Sequence, residues 1–446
     1  MRPASRATTL GALLMALTFV DEDSVPRLMT LRQGFSQAGD VKGSGSISAD
    51  GRMVAFVSTE RLVPADSNDV MDIYVFDRAD ATLTLETTAW GSGASDGGSG
   101  SPSLDANGRF LVFDSDATNL TSDTDRNRAR DVFVRDRMKG STRQISVGAS
   151  GQAANNTSCD PTISADGRIA AFVSYATNLV AGVDANGEGA DVYLARLDTG
   201  EVSRGSVGTD GRQPPTGQSV APALSADGHV VSFMSSASIG PEAARPSKAV
   251  VPAVWIRDLT SGVTACLSCR NPGGAFDAHL SGEGRVVVFT WQQLSRGADM
   301  RRTDIALFDR TTLVTSVITR EANGSSGRPS VSADGRFIVF QSQASNLECK
   351  RRCGPDVTDE NLLSDVYLFD RETGTFKRLS GDPRSWWAPS VEPLVDERGR
   401  VVVFSSRQPL SAEDTTTAFD LFIWTRERSP LSLLSLSRGL RTRMGN

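Results

Sequence analysis

Two histidines in 446 residues leave little material for nucleophilic catalysis of the Ser–His or Cys–His kind, which needs an imidazole within hydrogen-bond reach of the nucleophile. A basic excess is missing too. Lys and Arg number 47 against 53 Asp and Glu, a net charge of -6, whereas binding to phosphates calls for a basic face; no nucleic-acid partner is expected. Helix-period patterning is nowhere evident, which excludes helical solenoids and α/β folds. Long apolar runs are confined to the N-terminus, where Arg2 and Arg6 precede a run from Ala7 to Val20 that ends at Asp21, Glu22 and Asp23. That run is shorter than the roughly 20 residues of a transmembrane helix. It has the grammar of an export signal, here residues 1–24, with Ala16-Leu17-Thr18 only approximating a small-x-small cleavage site and no cysteine following to accept a lipid. No transmembrane span is expected.

Glycine, by contrast, is abundant at 41 residues, as suits an all-β chain with many tight turns. Much of it falls in a repeat. Alignment on the motif Ser-Ala-Asp-Gly-Arg gives Gly51, Gly108, Gly167, Gly228, Gly284, Gly335 and Gly399, with gaps of 57, 59, 61, 56, 51 and 64 residues. Seven copies of a unit in this size range are the sequence signature of a radial or linear repeat architecture. Within each copy a short strand such as Ser46-Ile47-Ser48 enters an Asp-Gly turn and leaves as an apolar strand such as Met53 to Val57, a hairpin. The second strand is apolar at consecutive positions, as in Val286-Val287-Val288-Phe289, so both of its faces must be covered. A third strand follows a variable polar loop, as in Asp365-Val366-Tyr367-Leu368-Phe369-Asp370, and a fourth follows a turn, as in Thr375 to Ser380. Four antiparallel strands repeated radially leave only short protected edges. The expected fold is all-β, a propeller of about seven four-stranded antiparallel blades over residues 25–437, with 438–446 a frayed tail. Val25 to Gln33 is expected to close the ring as the outer strand of the last blade, in preference to Leu431–Ser437.

With its Asp-Gly-Arg hairpins and Asp-Val-Tyr-x-x-Asp-Arg strands, the chain resembles the WD40-like Pro-Asp repeats of TolB-type bacterial propellers over essentially residues 25–437. Where that repeat usually has proline before the aspartate, this chain has Ala49, Ala165, Ala226 and Ala333. The resemblance implies an exported bacterial propeller, periplasmic or extracellular, of unassigned partner; the expected partner is a protein or envelope component and the expected state a monomer.

His229 replaces the hairpin arginine of the fourth repeat, and His279 is placed just before the first strand of the fifth, where other copies have proline. Neither is assigned catalytic work. Gly93-Ala94-Ser95-Asp96-Gly97 matches the Gly-x-Ser-x-Gly nucleophile elbow, but that elbow needs a strand before it and a helix after it, and Ser95 lies in a Gly/Ser connector. The inward strands present Ser, Ile, Leu and Val (Ser46-Ile47-Ser48, Ser103-Leu104, Thr162-Ile163-Ser164), so the channel is expected to have little acid–base capacity. The chain is accordingly read as no enzyme, but a non-catalytic binding or scaffold module. The alternative is a propeller enzyme or a calcium-dependent ligand-binding protein with its site at the central channel or the acidic loop face.

Five cysteines are present. Cys266 and Cys269 with Cys349 and Cys353 have zinc-like spacing, but a whole blade separates the pairs; Cys349–Cys353 is read as a loop disulfide, Cys266–Cys269 is a second candidate, and Cys159 is left free. Loops between second and third strands are oxygen-rich: Asp184, Asn186 and the strand-opening Asp191 are candidate calcium ligands, and no other cofactor is expected. Asx residues also make turns without any ion. Partner binding is assigned to the face of blade connectors and second-to-third loops, through Trp386, Trp387, Asp184, Asn186 and Glu188, since variable loops on a rigid scaffold are where binding usually sits.

Overall fold

The structure, a computed structural model, describes residues 45–123, 127–239, 251–293, 302–348, 363–380, 388–408, 410 and 419–426, with the backbone of Arg27–Leu28. It contains seven four-stranded antiparallel sheets. Blade two shows the plan: Ser99–Leu104 innermost, then Phe110–Ser115, Asp131–Asp136 and Ser141–Gln144 at the rim. In blade seven the inner three strands are Ser390–Val395, Val401–Ser406 and Asp420–Thr425, and the rim strand is Arg27–Leu28 from the other end of the chain. Arg27 pairs with Ile423 and Leu28 with Phe422. The N-terminal segment therefore closes the ring as expected.

Burial of the second strands on both faces follows from this stacking. In blade one Val54 and Phe56 pack with Val401 and Val403 of blade seven, while Ala55 and Val57 pack with Leu111 and Phe113 of blade two. Each of the seven seams has one such cluster. Hairpin glycines have positive φ and sit too close to the preceding blade for a side chain: a Cβ on Gly51 would come 2.6 Å from Val401 Cγ2.

Repeated polar residues hold the blades. The aspartate opening the third strand accepts a hydroxyl hydrogen bond from fifteen or so residues onward: Asp131 from Ser146 at 2.7 Å, Asp191 from Ser206 at 2.8 Å, Asp304 from Thr319 at 3.0 Å, Asp365 from Ser380 at 3.0 Å. The hairpin arginine grips the aspartate ending the third strand, as in Arg336 to Asp370 at 2.9 and 2.8 Å. At the hairpin end of the channel, backbone hydrogen bonds run from blade to blade: Ala49 N–H to Ala106 O at 3.0 Å, Ala106 to Ala165 at 3.0 Å, Ala165 to Ala226 at 2.8 Å, Asp227 to Gly282 at 3.3 Å, Gly282 to Ala333 at 2.9 Å and Ala333 to Glu397 at 2.9 Å.

Candidate functional site

The inner strands do not begin where the sequence places them. In blades two to seven they run for six residues, starting at Ser99, Ser158, Ser219, Ala275, Ser326 and Ser390, so each contributes two or more residues ahead of the expected start. In all six the pairing to the second strand slips between the second and fifth residue. The third residue takes a left-handed conformation despite its side chain: Ser101, Asp160, Ala221, Asp277, Arg328 and Glu392 have φ of 50 to 55°. A bulge with a left-handed residue re-aims that side chain. Non-glycine residues held there are strained, and here the strain recurs around a ring.

The bulges border a central cavity of about 810 Å³. Blades two and three supply one polar group to it. Arg130 Nε lies 2.7 Å from Asp114 Oδ1, Asp160 N–H donates to Asp114 Oδ2 at 2.9 Å, and Ser101 Oγ donates to Asp160 Oδ1 at 3.4 Å. Burial, then the charge of Asp114, raises the Asp160 carboxyl. The adjacent Cys159 is a free thiol, pushed up to about 12 by burial and the carboxylates beside it, so it is no nucleophile near neutral pH. Blades six and seven supply Arg328 and Glu392, with Asp277 of blade five beside Arg328. Arg328 Nε stands 3.9 Å from Asp277 Oδ2 with its side chain 55% exposed. The Glu392 N–H donates to Gln341 Oε1 at 3.0 Å. Burial raises both the Glu392 and Asp277 carboxyls, and Arg328 opposes the rise.

The channel is therefore not the neutral lining inferred from Ser, Ile, Leu and Val. Carboxyls with raised pKa beside a half-free guanidinium can bind a polar ligand and can hold or release a proton near it. These residues were missed because the bulge lies ahead of the conserved-looking hairpin. Their signal was present as a four-residue pattern, serine and proline around two varying places: Ser99-Gly-Ser101-Pro102, Ser158-Cys-Asp160-Pro161, Ser219-Val-Ala221-Pro222, Ser326-Gly-Arg328-Pro329 and Ser390-Val-Glu392-Pro393.

His279 is also displaced from its expected position. It lies inside the inner strand Ala275–Leu280, one place beyond the proline position, which Ala278 occupies. Its Nδ1 accepts the Val331 N–H of the next blade at 3.4 Å, the link that serine hydroxyls make elsewhere, as Ser103 Oγ does for Ile163. Burial lowers it to about 4, so it serves as a neutral acceptor. His229 is exposed on its hairpin, its N–H donating to Asp227 Oδ1 at 2.9 Å. Ser95 lies in the connector and is buried there, donating to Asp72 Oδ1 at 3.1 Å and Gly97 O at 3.2 Å.

The acidic loop of blade three does gather Asp184, Asn186 and Asp191, and it does so around protein groups. Gln213 Nε2 is 2.7 Å from Asp184 Oδ1 and 2.6 Å from Asp191 Oδ2, and it also reaches Asn186 Oδ1. Arg204 lies 2.9 Å from Asp184 Oδ2 and 3.3 Å from Asp191 Oδ2. A guanidinium thus supplies the positive charge at the centre of this set. Burial lifts the Asp191 carboxyl to about 6, and Glu188 is exposed nearby on the same loop. Among the cysteines, Cys266 and Cys269 form a disulfide. Cys349, Cys353, Trp386 and Trp387 lie outside the described residues, as do the export-like segment, the tail and Leu431–Ser437.

No protein-family model and no curated protein matches the chain. Solved structures do. The β-propeller domain of the Trilobed protease from Pyrococcus furiosus matches at 13% identity and TM-score 0.54, over 89% of this chain and 96% of that one. Oligogalacturonate lyase from Vibrio parahaemolyticus matches at 11% identity and TM-score 0.53, over 90% and 94%. The likeness is one of fold: the chain is a β-propeller. TolB from Acinetobacter baumannii is also among the matches, at 15% identity, TM-score 0.42 and coverage of 79% and 67%. The expectation that the chain is no enzyme does not stand. Proteins named as a protease and a lyase share this fold, and the premise of an inert channel fails on Asp160, Arg328 and Glu392. Among the described residues no helix is long and apolar enough to cross a membrane.

Proposed function

We propose that this chain is an exported binding propeller whose central channel holds a polar ligand on the bulge ring. One observation carries the reading: at the third inner-strand position the backbone is the same in six blades, while the side chain is Ser, Asp, Ala, Asp, Arg and Glu in turn. A residue serving only the repeat would recur with it, as the hairpin glycines and strand-opening aspartates largely do. A position that is strained, borders the channel and varies in charge and size around the ring is suited to reading a ligand asymmetrically. The inner strands run from the connector face toward the hairpins, so the ring lies on the connector side of the Ala49-to-Glu397 hydrogen bonds. Entry from the connector face, where Asp184, Asn186 and Glu188 lie and to which Trp386 and Trp387 are assigned, fits this polarity. The Cys266–Cys269 disulfide supports an oxidising compartment, periplasmic or extracellular.

The test uses purified protein incubated with bacterial envelope extract, washed, and examined by native mass spectrometry. Wild type and a hairpin-face variant with alanine at Arg52 and Arg336 are expected to retain the same bound species. A channel variant carrying Asp160→Asn, Arg328→Ala and Glu392→Gln is expected to lose it. Retention by the folded channel variant, or loss only in the hairpin-face variant, overturns the assignment.

A further inference from the structure

Away from the channel, the hairpin face carries a belt of five arginines with two breaks in it, at Leu197 and Leu259. The residue after the third strand donates its N–H to the hairpin in every blade, which aligns Arg78, Arg137, Leu197, Leu259, Arg310, Arg371 and Arg426. Arg78 donates to Gly51 O of its own hairpin, and the other four arginines reach the preceding blade. Arg137 meets Glu86 at 2.8 Å, Arg310 meets Asp258 at 2.9 Å, Arg371 meets Asp309 at 2.8 Å, and Arg426 stacks 4.1 Å over the ring of Phe337. Leu197 is too short and too apolar to do this. At its seam, between blades two and three, a groove of about 520 Å³ is left, floored by Phe110, Val134 and Leu197.

Cations remain around that groove with their charge poorly matched. Arg143 crosses from the rim of blade two to donate to Leu197 O at 2.6 Å; burial alone lowers its pKa, with no carboxylate contributing. Arg168 has only Asp166, at 3.7 Å, and its side chain is 72% exposed. Three carboxylates also border the groove, and all are engaged: Asp198 lies 3.4 Å from Arg196 and accepts the Thr199 N–H at 2.9 Å. Asp136 takes two hydrogen bonds from Arg109, at 3.2 and 2.8 Å, and Asp166 accepts from Ser164 Oγ at 2.6 Å and Arg168 N–H at 3.0 Å. Phe110 has Arg109 on one side, 4.6 Å from the ring centroid, but lacks the second guanidinium that Arg426 gives the equivalent Phe337.

We propose that this seam is a binding site for a small aromatic anion, with its ring placed where the missing arginine would lie against Phe110 and its charged group on Arg143 and Arg168. A flat apolar body gains from the floor, and the anion supplies the counter-charge that Arg143 lacks. The site is separate from the channel ring, and its test leaves that reading untouched.

Phenyl phosphate and inorganic phosphate are titrated by calorimetry into the full chain, into Arg143→Ala and into Leu197→Arg. Wild type is expected to bind phenyl phosphate about tenfold or more tightly than inorganic phosphate, and Arg143→Ala to weaken phenyl phosphate by about tenfold, a single charge-assisted contact. Leu197→Arg rebuilds the belt seen at five other seams, so it is expected to abolish binding without lowering the melting temperature. Failure of wild type to bind phenyl phosphate overturns the proposal. Binding unchanged in Leu197→Arg overturns the location, and equal affinity for inorganic phosphate overturns the aromatic half.

Discussion

Ala165 donates its backbone N–H to the carbonyl of Ala226, 2.8 Å away in the next blade. Proline, the residue the TolB-type repeat usually has here, lacks that donor. Ala165→Pro should therefore destabilise the ring by about 1–3 kcal/mol, through the lost bond and the unpaired carbonyl of Ala226. Ala165→Ser, which keeps the N–H, is the control. Equal midpoints of proline and serine variants in urea would show that the link contributes nothing.

The left-handed bulge residues predict an opposite response. Ala221 has φ 52° and no functional side chain to lose, so Ala221→Gly relieves the Cβ clash of that conformation. Stability should rise by about 1 kcal/mol, less the extra unfolded-state freedom of glycine. A clear loss of stability would mean that the bulge is unstrained.

Blade four lacks the aspartate clamp, because Ala253 stands where the other blades have a strand-opening aspartate. Ser268 still accepts the Val254 N–H at 2.9 Å, and the disulfide Cys266–Cys269 brackets it. The disulfide thus stands in for the clamp. A loop this short contributes about 2 kcal/mol by chain entropy. Replacing both cysteines with serine should lower stability by up to that amount, and adding Ala253→Asp, which gives Ser268 a carboxylate, should recover part of it. Denaturation of the three proteins under non-reducing conditions checks this. No recovery would separate the disulfide from the clamp.

Asp191 gives a pH dependence of definite sign. Its carboxyl, raised to about 6 in the folded chain by burial, returns to about 4 on unfolding. The folded state binds its proton more tightly, so this contribution to stability is complete below about pH 4 and is lost as pH rises through about 6. Asp191→Asn does not titrate. Its stability relative to wild type should improve by on the order of 3 kcal/mol between about pH 4 and pH 7. Parallel stability profiles would place the Asp191 carboxyl in the ordinary range.

The fold was legible because each device is local and recurs seven times. Asp-Gly turns, doubly apolar second strands and strand-opening aspartates each announce themselves within a few residues, and Val25–Gln33 stood out as a strand with no partner of its own. The chemistry of the channel was less legible. Ser101, Asp160, Ala221, Asp277, Arg328 and Glu392 follow no consensus, so aligning repeats treats them as noise, and nothing local says that a residue between serine and proline turns inward.

Sequence by itself determined the number of blades, the strand order within them and the residues that bury each seam, since period-two patterning and turn chemistry act over short range. Tertiary structure alone decided what those blades bring together. Arg328 meets Asp277 across 51 residues and Gln213 sits among Asp184, Asn186 and Asp191 only because curvature of the ring sets neighbouring blades at contact distance. Leu197 leaves a groove only because five other blades place an arginine at its position. Such relationships depend on where the closed ring puts each side chain, and a closed ring is a property of all seven blades at once.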